Sequence, residues 1–192
     1  EFTLPSLDSV RTHELVVMAT EFRAGLNDYL ADTPGAGVRT LSELIAFNRD
    51  NAELVMPYFG QELLERSVLA PSTSDPSYLE ARRECLRLTA SGGIDRALSE
   101  HDLDAIVVPT TTTAWVIDWV NGDNRSGSSA YLAAVPGYPS ITVPAGYVHG
   151  LPLGISFIAG PWQEGLLIRL AHAFETVTQV RQPPRFKSTI EN

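Results

Sequence analysis

Gly137-Tyr138-Pro139-Ser140-Ile141-Thr142-Val143-Pro144-Ala145-Gly146, then Gly150-Leu151-Pro152-Leu153-Gly154, then Glu164-Gly165-Leu166-Leu167 and Ala171 to Glu175, is the stretch that decides the fold. Glycines and prolines punctuate two short apolar runs, Ile141-Thr142-Val143 and Leu153-Gly154-Ile155-Ser156-Phe157-Ile158. Short apolar runs between turn residues read as strands. His149-Gly150 lies between the two runs, so they are expected to form an antiparallel hairpin. Residues 163–177 follow with Leu166, Leu167, Leu170, Ala171 and Phe174 at helical spacing, so a helix is expected with that face inward.

Working upstream, Ala105-Ile106-Val107-Val108 is wholly apolar between Asp104 and Pro109. It reads as a strand buried on both faces, as in a parallel sheet with helices on each side. The first half is helical in pattern. Residues 9–32 carry Leu15, Met18, Phe22, Leu26, Tyr29 and Leu30 in one apolar stripe, stopped by Thr33-Pro34-Gly35. Thr40-Leu41-Ser42-Glu43 is a capping box opening a helix to about Arg49. A shorter helix is expected over 61–67. Asp75-Pro76 starts a longer one, with Asp as cap and Pro at the first helical position. Ser91-Gly92-Gly93 reads as its terminator, with a further helical piece over 94–100. Residues 1–7 alternate like a strand. Ser126, Ser128 and Ser129 read as N-cap material for a helix over 130–135.

The expected fold class is therefore α/β, with helices packed around a small mixed sheet. Residues 1–103 are mainly helical, 104–178 hold the strands and the last helix, and 179–192 form a polar tail. Three or four strands leave open edges and uncovered helix faces, which marks the fold as incomplete. We expect dimerisation, strand pairing between copies, or association with a missing N-terminal half of the same protein.

Composition narrows the function classes. Hydrophobic residues make up 44% and charged residues 19%, a globular balance. A net charge of −9 without a basic patch argues against nucleic acid or anionic membrane as partner. No apolar run has membrane-spanning length and no signal peptide opens the chain; for a fragment this leaves the parent's compartment open, with cytoplasm the favoured expectation. Cys85 is the only cysteine and reads as a structural thiol. His13, His101, His149 and His172 are scattered, so neither a metal site nor a cofactor is expected. The only lysine is Lys187, in the tail.

No catalytic constellation is legible. The G-x-S-x-G elbow is absent. His101, Asp102 and Asp104 read as capping or solvated groups at the start of a strand. The suggestive element is the connection 110–125, which leaves the apolar strand at its C-terminal end, where α/β sheets place ligands. It holds Thr110, then Trp115 and Trp119 with Asp118 between them. Two tryptophans on one connection wall a binding pocket or pack the loop on the core.

The terminal block, Asp104 to Thr110, the run Glu21-Phe22-Arg23-Ala24-Gly25-Leu26-Asn27-Asp28-Tyr29-Leu30, Thr40-Leu41 and Ile45-Ala46-Phe47-Asn48 together resemble the amidase signature family, with the helical region similar to that of peptide-amidase-like members. The resemblance covers nearly the whole chain and corresponds to the family's C-terminal half. It implies an amide hydrolase that cleaves a carboxamide to acid plus ammonia or amine. The implied mechanism uses a Ser–cis-Ser–Lys triad in which the lysine deprotonates one serine through the other. Backbone amides of a Gly/Ser-rich loop form the oxyanion hole. The segments matching those parts are absent here, so no catalytic residue is assigned. Thr110, Trp115, Asp118 and Trp119 are then expected on the wall of the substrate funnel, facing a small amide or peptide amide. Many members carry Gln two residues after the glycine matching Gly154, where this chain has Ser156. The alternatives are a non-catalytic small-molecule binding or interaction domain and a fragment of an amidotransferase A-type subunit. The negative charge and long helical region favour the stand-alone amidase.

Overall fold

A computed structural model describes residues 3–124, 127–184 and 186. The elements are α1 (Leu7–Asp32), α2 (Leu41–Asp50), α3 (Ala52–Val55), α4 (Glu62–Val68), α5 (Pro76–Leu86), a π-helical segment (Arg87–Ile94), α6 (Asp95–Glu100), β1 (Ile106–Pro109), α7 (Ala130–Ala134), β2 (Ser140–Val148), β3 (Leu151–Ile158) and α8 (Glu164–Thr178). They fall into two compact units, Asp8–Cys85 and Glu1–Leu7 with Leu86–Asn192.

The second of these holds the sheet, in strand order β1-β3-β2. Both pairings are antiparallel, with Val108 opposite Ser156 and Thr142 opposite Ser156. The hairpin is as expected. Val148 faces Leu151, and His149 and Gly150 both take positive φ, 50° and 75°, the two-residue geometry that follows strand twist. The turn is thus confined to two residues, and the strands run well beyond the apolar runs. Pro144 is tolerated inside β2 because the register shifts there; a bulge needs no ladder donor at that point.

Side-chain alternation sorts the sheet into two faces. On one, Val143, Phe157 and Ala159 pack against Leu167 and Ala171 of α8, with Ile141, Ile155, Leu170 and Phe174 around them. Phe157 and Phe174 meet edge-on at 6.0 Å, a favoured aromatic geometry. On the other, Ile106 and Ile158 pack against Ile94, Ala97, Leu132 and Ala133. The expectation that β1 is a parallel strand buried on both faces is corrected here. β1 pairs only with β3 among the described residues, and as an edge strand it leaves Val107 exposed.

Two further expectations change. Residues 3–6 form no strand. Leu4 instead packs on the cluster around Ile94, and the Pro5 carbonyl accepts a 2.7 Å bond from the Tyr131 hydroxyl. Residues 1 and 2 lie outside the described residues. Ser91-Gly92-Gly93 does not stop the helix either; the chain continues as a π-helical turn into α6. A Cβ on Gly92 would sit 2.7 Å from the Arg87 carbonyl oxygen, and one on Gly93 2.7 Å from that of Leu88. The glycines therefore permit the wide turn, because only their missing side chains leave room for those carbonyls. Tyr138 anchors the exit of this turn by donating to both Asp95 carboxylate oxygens, at 2.8 and 2.9 Å.

That contact has a pH signature. Burial, then the bond and charge of Asp95, push the Tyr138 phenol up to about 12 from 10.0. A phenol that holds its proton more tightly when folded adds stability that is full below its unfolded pKa. That stability is lost as pH rises through the folded one. Unfolding titrations between pH 10 and 12 are expected to show a decline in stability that Tyr138→Phe reduces. An identical decline in the variant would refute the contact's role.

In the unit Asp8–Cys85, the sequence reading of the caps is half right. Thr40 Oγ1 accepts the Glu43 amide at 3.2 Å, but the Glu43 carboxylate reaches the Arg39 amide at 2.6 Å rather than that of Thr40. Asp75 Oδ1 accepts the Ser77 amide at 2.8 Å, capping α5. Burial first, then Glu14 and Glu84, push the buried Cys85 thiol up, away from the reactive thiolate. The expected apolar stripe of α1 is only partly inward. Met18, Phe22 and Tyr29 are exposed, while Val10, Thr20 and Leu30 are buried. The inward face is instead fixed by polar reach: Arg23 donates to the Val68 and Pro71 carbonyls at 3.3 and 2.9 Å, and Tyr78 donates to Glu21 at 2.7 Å.

Candidate functional site

Where β1 ends, three strands bring three hydroxyls into line. Ser156 on β3 lies between Thr110, at 2.7 Å, and Thr142 on β2, at 2.8 Å. Ser156 is 3% exposed, so its hydroxyl depends on these two partners for satisfaction. The row exists because residue 154 is glycine. A Cβ there would stand 2.8 Å from Thr142 Cγ2 and 2.9 Å from Thr110 Oγ1. The Thr110 amide also donates to the Gly154 carbonyl at 3.0 Å, extending the ladder one residue past β1.

The connection that follows is a closed loop rather than a helix. Its neck is held by Thr111 bridged to Ser128, by Thr111 Oγ1 donating to the Gly127 carbonyl at 2.8 Å, and by the Ser129 amide and hydroxyl on the Thr110 carbonyl at 3.1 and 3.2 Å. Ser129 thus spends its side chain across the neck. Ser128 Oγ takes the first α7 amide, Ala130, at 3.2 Å. The N-cap residue is Ser129, whose side chain makes no capping bond, and the preceding Ser128 takes the amide instead; Arg125 and Ser126 lie outside the described residues. Thr112 in the same neck has a buried hydroxyl with no hydrogen-bond partner among the described residues.

Asp118 organises the loop tip. Its carboxylate accepts the Val120 and Asn121 amides, both at 2.9 Å, and the Asn121 side chain at 2.8 Å. These bonds, the Asn121 amide foremost, hold it below the usual carboxylate range. Trp115 Nε1 donates to Asp123 at 3.1 Å. The tip presents carbon outward: Trp115 is 38% exposed and Trp119 57%, with Val116, Ile117 and Val120 more exposed still. Among the described residues, neither tryptophan is part of a buried cluster.

Thr110, Trp115, Asp118 and Trp119 thus lie on one closed loop and its root, with Thr110 at the hydroxyl row and the other three toward the tip. Sequence reading missed Ser156 and Thr142 as Thr110's partners. The signal available was the Gly154-x-Ser156 spacing, which puts a missing side chain and a hydroxyl on the same strand face. It also missed Thr112. Among the described residues, no group of three or more His, Cys, Asp or Glu could hold a metal. Hydroxyls and indoles without a base can bind and orient a polar substrate with an apolar flank; by themselves they supply no activated nucleophile.

The chain matches the Amidase family over residues 1–168 and belongs to that family. It is 32% identical to a probable amidase of Arabidopsis thaliana, over 96% of this chain and 34% of that protein. It superposes on the peptide amidase of Stenotrophomonas maltophilia with a TM-score of 0.88 at 41% identity, over 97% of this chain and 37% of the other. The A-type subunit of a glutamyl-tRNA(Gln) amidotransferase from Streptococcus pyogenes is 34% identical over only 62% of this chain and 26% of its own. The chain thus spans about a third of the length of the amidases it matches.

Proposed function

We propose that this chain is the C-terminal part of an amide hydrolase that converts a peptide carboxamide to the acid and ammonia. In this reading a Ser–cis-Ser–Lys triad and its oxyanion loop are supplied by the remainder of the parent protein. The observation that carries it is the 41% identity to a peptide amidase across 97% of the chain. The amidotransferase match reaches only 62% of the chain, so the stand-alone amidase is the better fit. The remainder of the parent is also the partner we assign. No strand among the described residues pairs with the outer edge of β1 or β2, and edges left open call for another strand.

The fragment's contribution is one wall of the substrate site. Trp115 and Trp119 give the apolar surface, Asp118 holds the turn near the mouth, and Thr110 roots the loop on the sheet. The test is the full-length parent with a blocked dipeptide amide, following ammonia release; no release from any peptide amide rejects the activity. In an active parent, Trp115→Ala and Trp119→Ala remove contacts made equally in ground and transition states. KM is expected to rise roughly tenfold with kcat nearly constant. Unchanged KM with a large loss of stability in both would return the tryptophans to a packing role.

A further inference from the structure

The unit Asp8–Cys85 contains a polar cleft of about 500 Å³, and we propose that it binds a small zwitterion of amino-acid or dipeptide size. The proposal does not depend on the activity proposed above. Five of the lining residues, at 20, 23, 24, 27 and 28, come from α1. That spacing places them on a single helix face. Ser42 and Thr73 face them from the first turn of α2 and the connection before α5.

The cleft holds more polar capacity than the chain uses. Thr20 is 0% exposed, and its hydroxyl has no hydrogen-bond partner among the described residues. At 0% exposure that hydroxyl is out of a ligand's reach, and the usable groups of the cleft are those around it. Arg23 spends N–H donors on the Val68 and Pro71 carbonyls; a guanidinium has five. Asn27 uses its carbonyl oxygen on the Leu41 amide at 2.8 Å, and its NH₂ has no partner among the described residues. The Glu43 amide goes to Thr40, while the Ser42 amide and hydroxyl, without a partner among the described residues, stand at the positive end of α2.

Charge selects the ligand class. Arg23 and the Ser42 end of α2 suit a carboxylate. Asp28, which makes no hydrogen bond or ion pair among the described residues, suits an ammonium. A plain anion would meet the Asp28 carboxylate, and a plain cation would meet the Arg23 guanidinium. An apolar ligand finds little carbon, since only Ala24 and Val68 provide it. The volume accommodates an amino acid or dipeptide.

The experiment is calorimetric titration of the full-length parent with glycylglycine, with N-acetylglycine (no ammonium) and glycinamide (no carboxylate) as half-ligands. Glycylglycine is expected to bind saturably, and each half-ligand at least about tenfold more weakly. Asp28→Asn is expected to weaken glycylglycine about tenfold and to abolish its preference over N-acetylglycine, with melting temperature and amide hydrolysis unchanged. Ser42→Ala, which removes a hydroxyl with no partner among the described residues, serves as a second variant and is expected to weaken binding at the carboxylate end. Absence of saturable binding at millimolar glycylglycine, or equal binding by the wild type and both variants, overturns the proposal.

Discussion

The 192-residue chain expressed alone is expected to release no ammonia from a peptide amide that its parent hydrolyses. Uncatalysed amide hydrolysis is slow enough that loss of the nucleophile and base drops the rate by at least about 10⁶-fold, to background. The candidate that tests this most severely is the Thr110–Ser156–Thr142 row, because Ser156 is buried and hydrogen-bonded at both sides. A serine becomes a nucleophile when a base takes its proton. Its neighbours here are two hydroxyls, which do not ionise near neutral pH. The chain's single lysine, Lys187, lies in the tail outside the described residues. An ammonia-coupled assay on the isolated chain beside the parent decides the matter. Turnover by the isolated chain that survives repurification and is lost on heating would place a catalytic centre within it. An inactive parent would instead reject the amidase reading itself, so the two failures are distinct.

The legible parts of this fold are those written in local chemistry. The hairpin could be read because His149-Gly150 sits between two apolar runs, and two residues of positive φ are all that turn needs. The helix starts at Leu41 and Pro76 could be read because capping is a contact between neighbours in sequence. The inward face of α8 followed from its spacing, as Leu167 and Ala171 are buried. What was not legible depends on distant partners. The π-helical turn looked like a terminator, because two glycines carry the same letters whether they end a helix or widen it. The α1 stripe was only partly legible: Met18, Phe22 and Tyr29 are exposed in this chain while Leu30 is buried, and Arg23 reaches the Val68 and Pro71 carbonyls at the end of α4 and in the following loop. For the candidate site, Thr110 and the tryptophan loop were visible as a connection leaving a strand. The hydroxyls that root it were not, since Ser156 and Thr142 join Thr110 only through the β1-β3-β2 order.

That rooting makes Gly154 the most sensitive position in the candidate site. Gly154→Val is expected to destabilise the parent by about 2–5 kcal/mol, the sum of overpacking and lost hydrogen bonds. The space a Cβ would fill is held by Thr142 Cγ2 at 2.8 Å, Thr110 Oγ1 at 2.9 Å and Thr110 Cβ at 3.3 Å. These atoms belong to short β-branched side chains, which have few rotamers to retreat into. Each retreat breaks a bond to the Ser156 hydroxyl, buried at 3% exposure. An unsatisfied buried hydroxyl then adds its own desolvation cost. The control is Gly25→Ala. Gly25 is exposed within α1, with nothing within 4 Å of the added Cβ, so it is expected to stabilise by about 0.5–1 kcal/mol. Denaturant titration of both variants separates glycine chemistry in general from this contact in particular. A Gly154→Val parent as stable as wild type would mean that the strands part easily, and that the hydroxyl row does not fix the loop. A destabilised variant in which Ser156→Ala on the same background restores about 1 kcal/mol or more would show that the orphaned hydroxyl carries part of the cost.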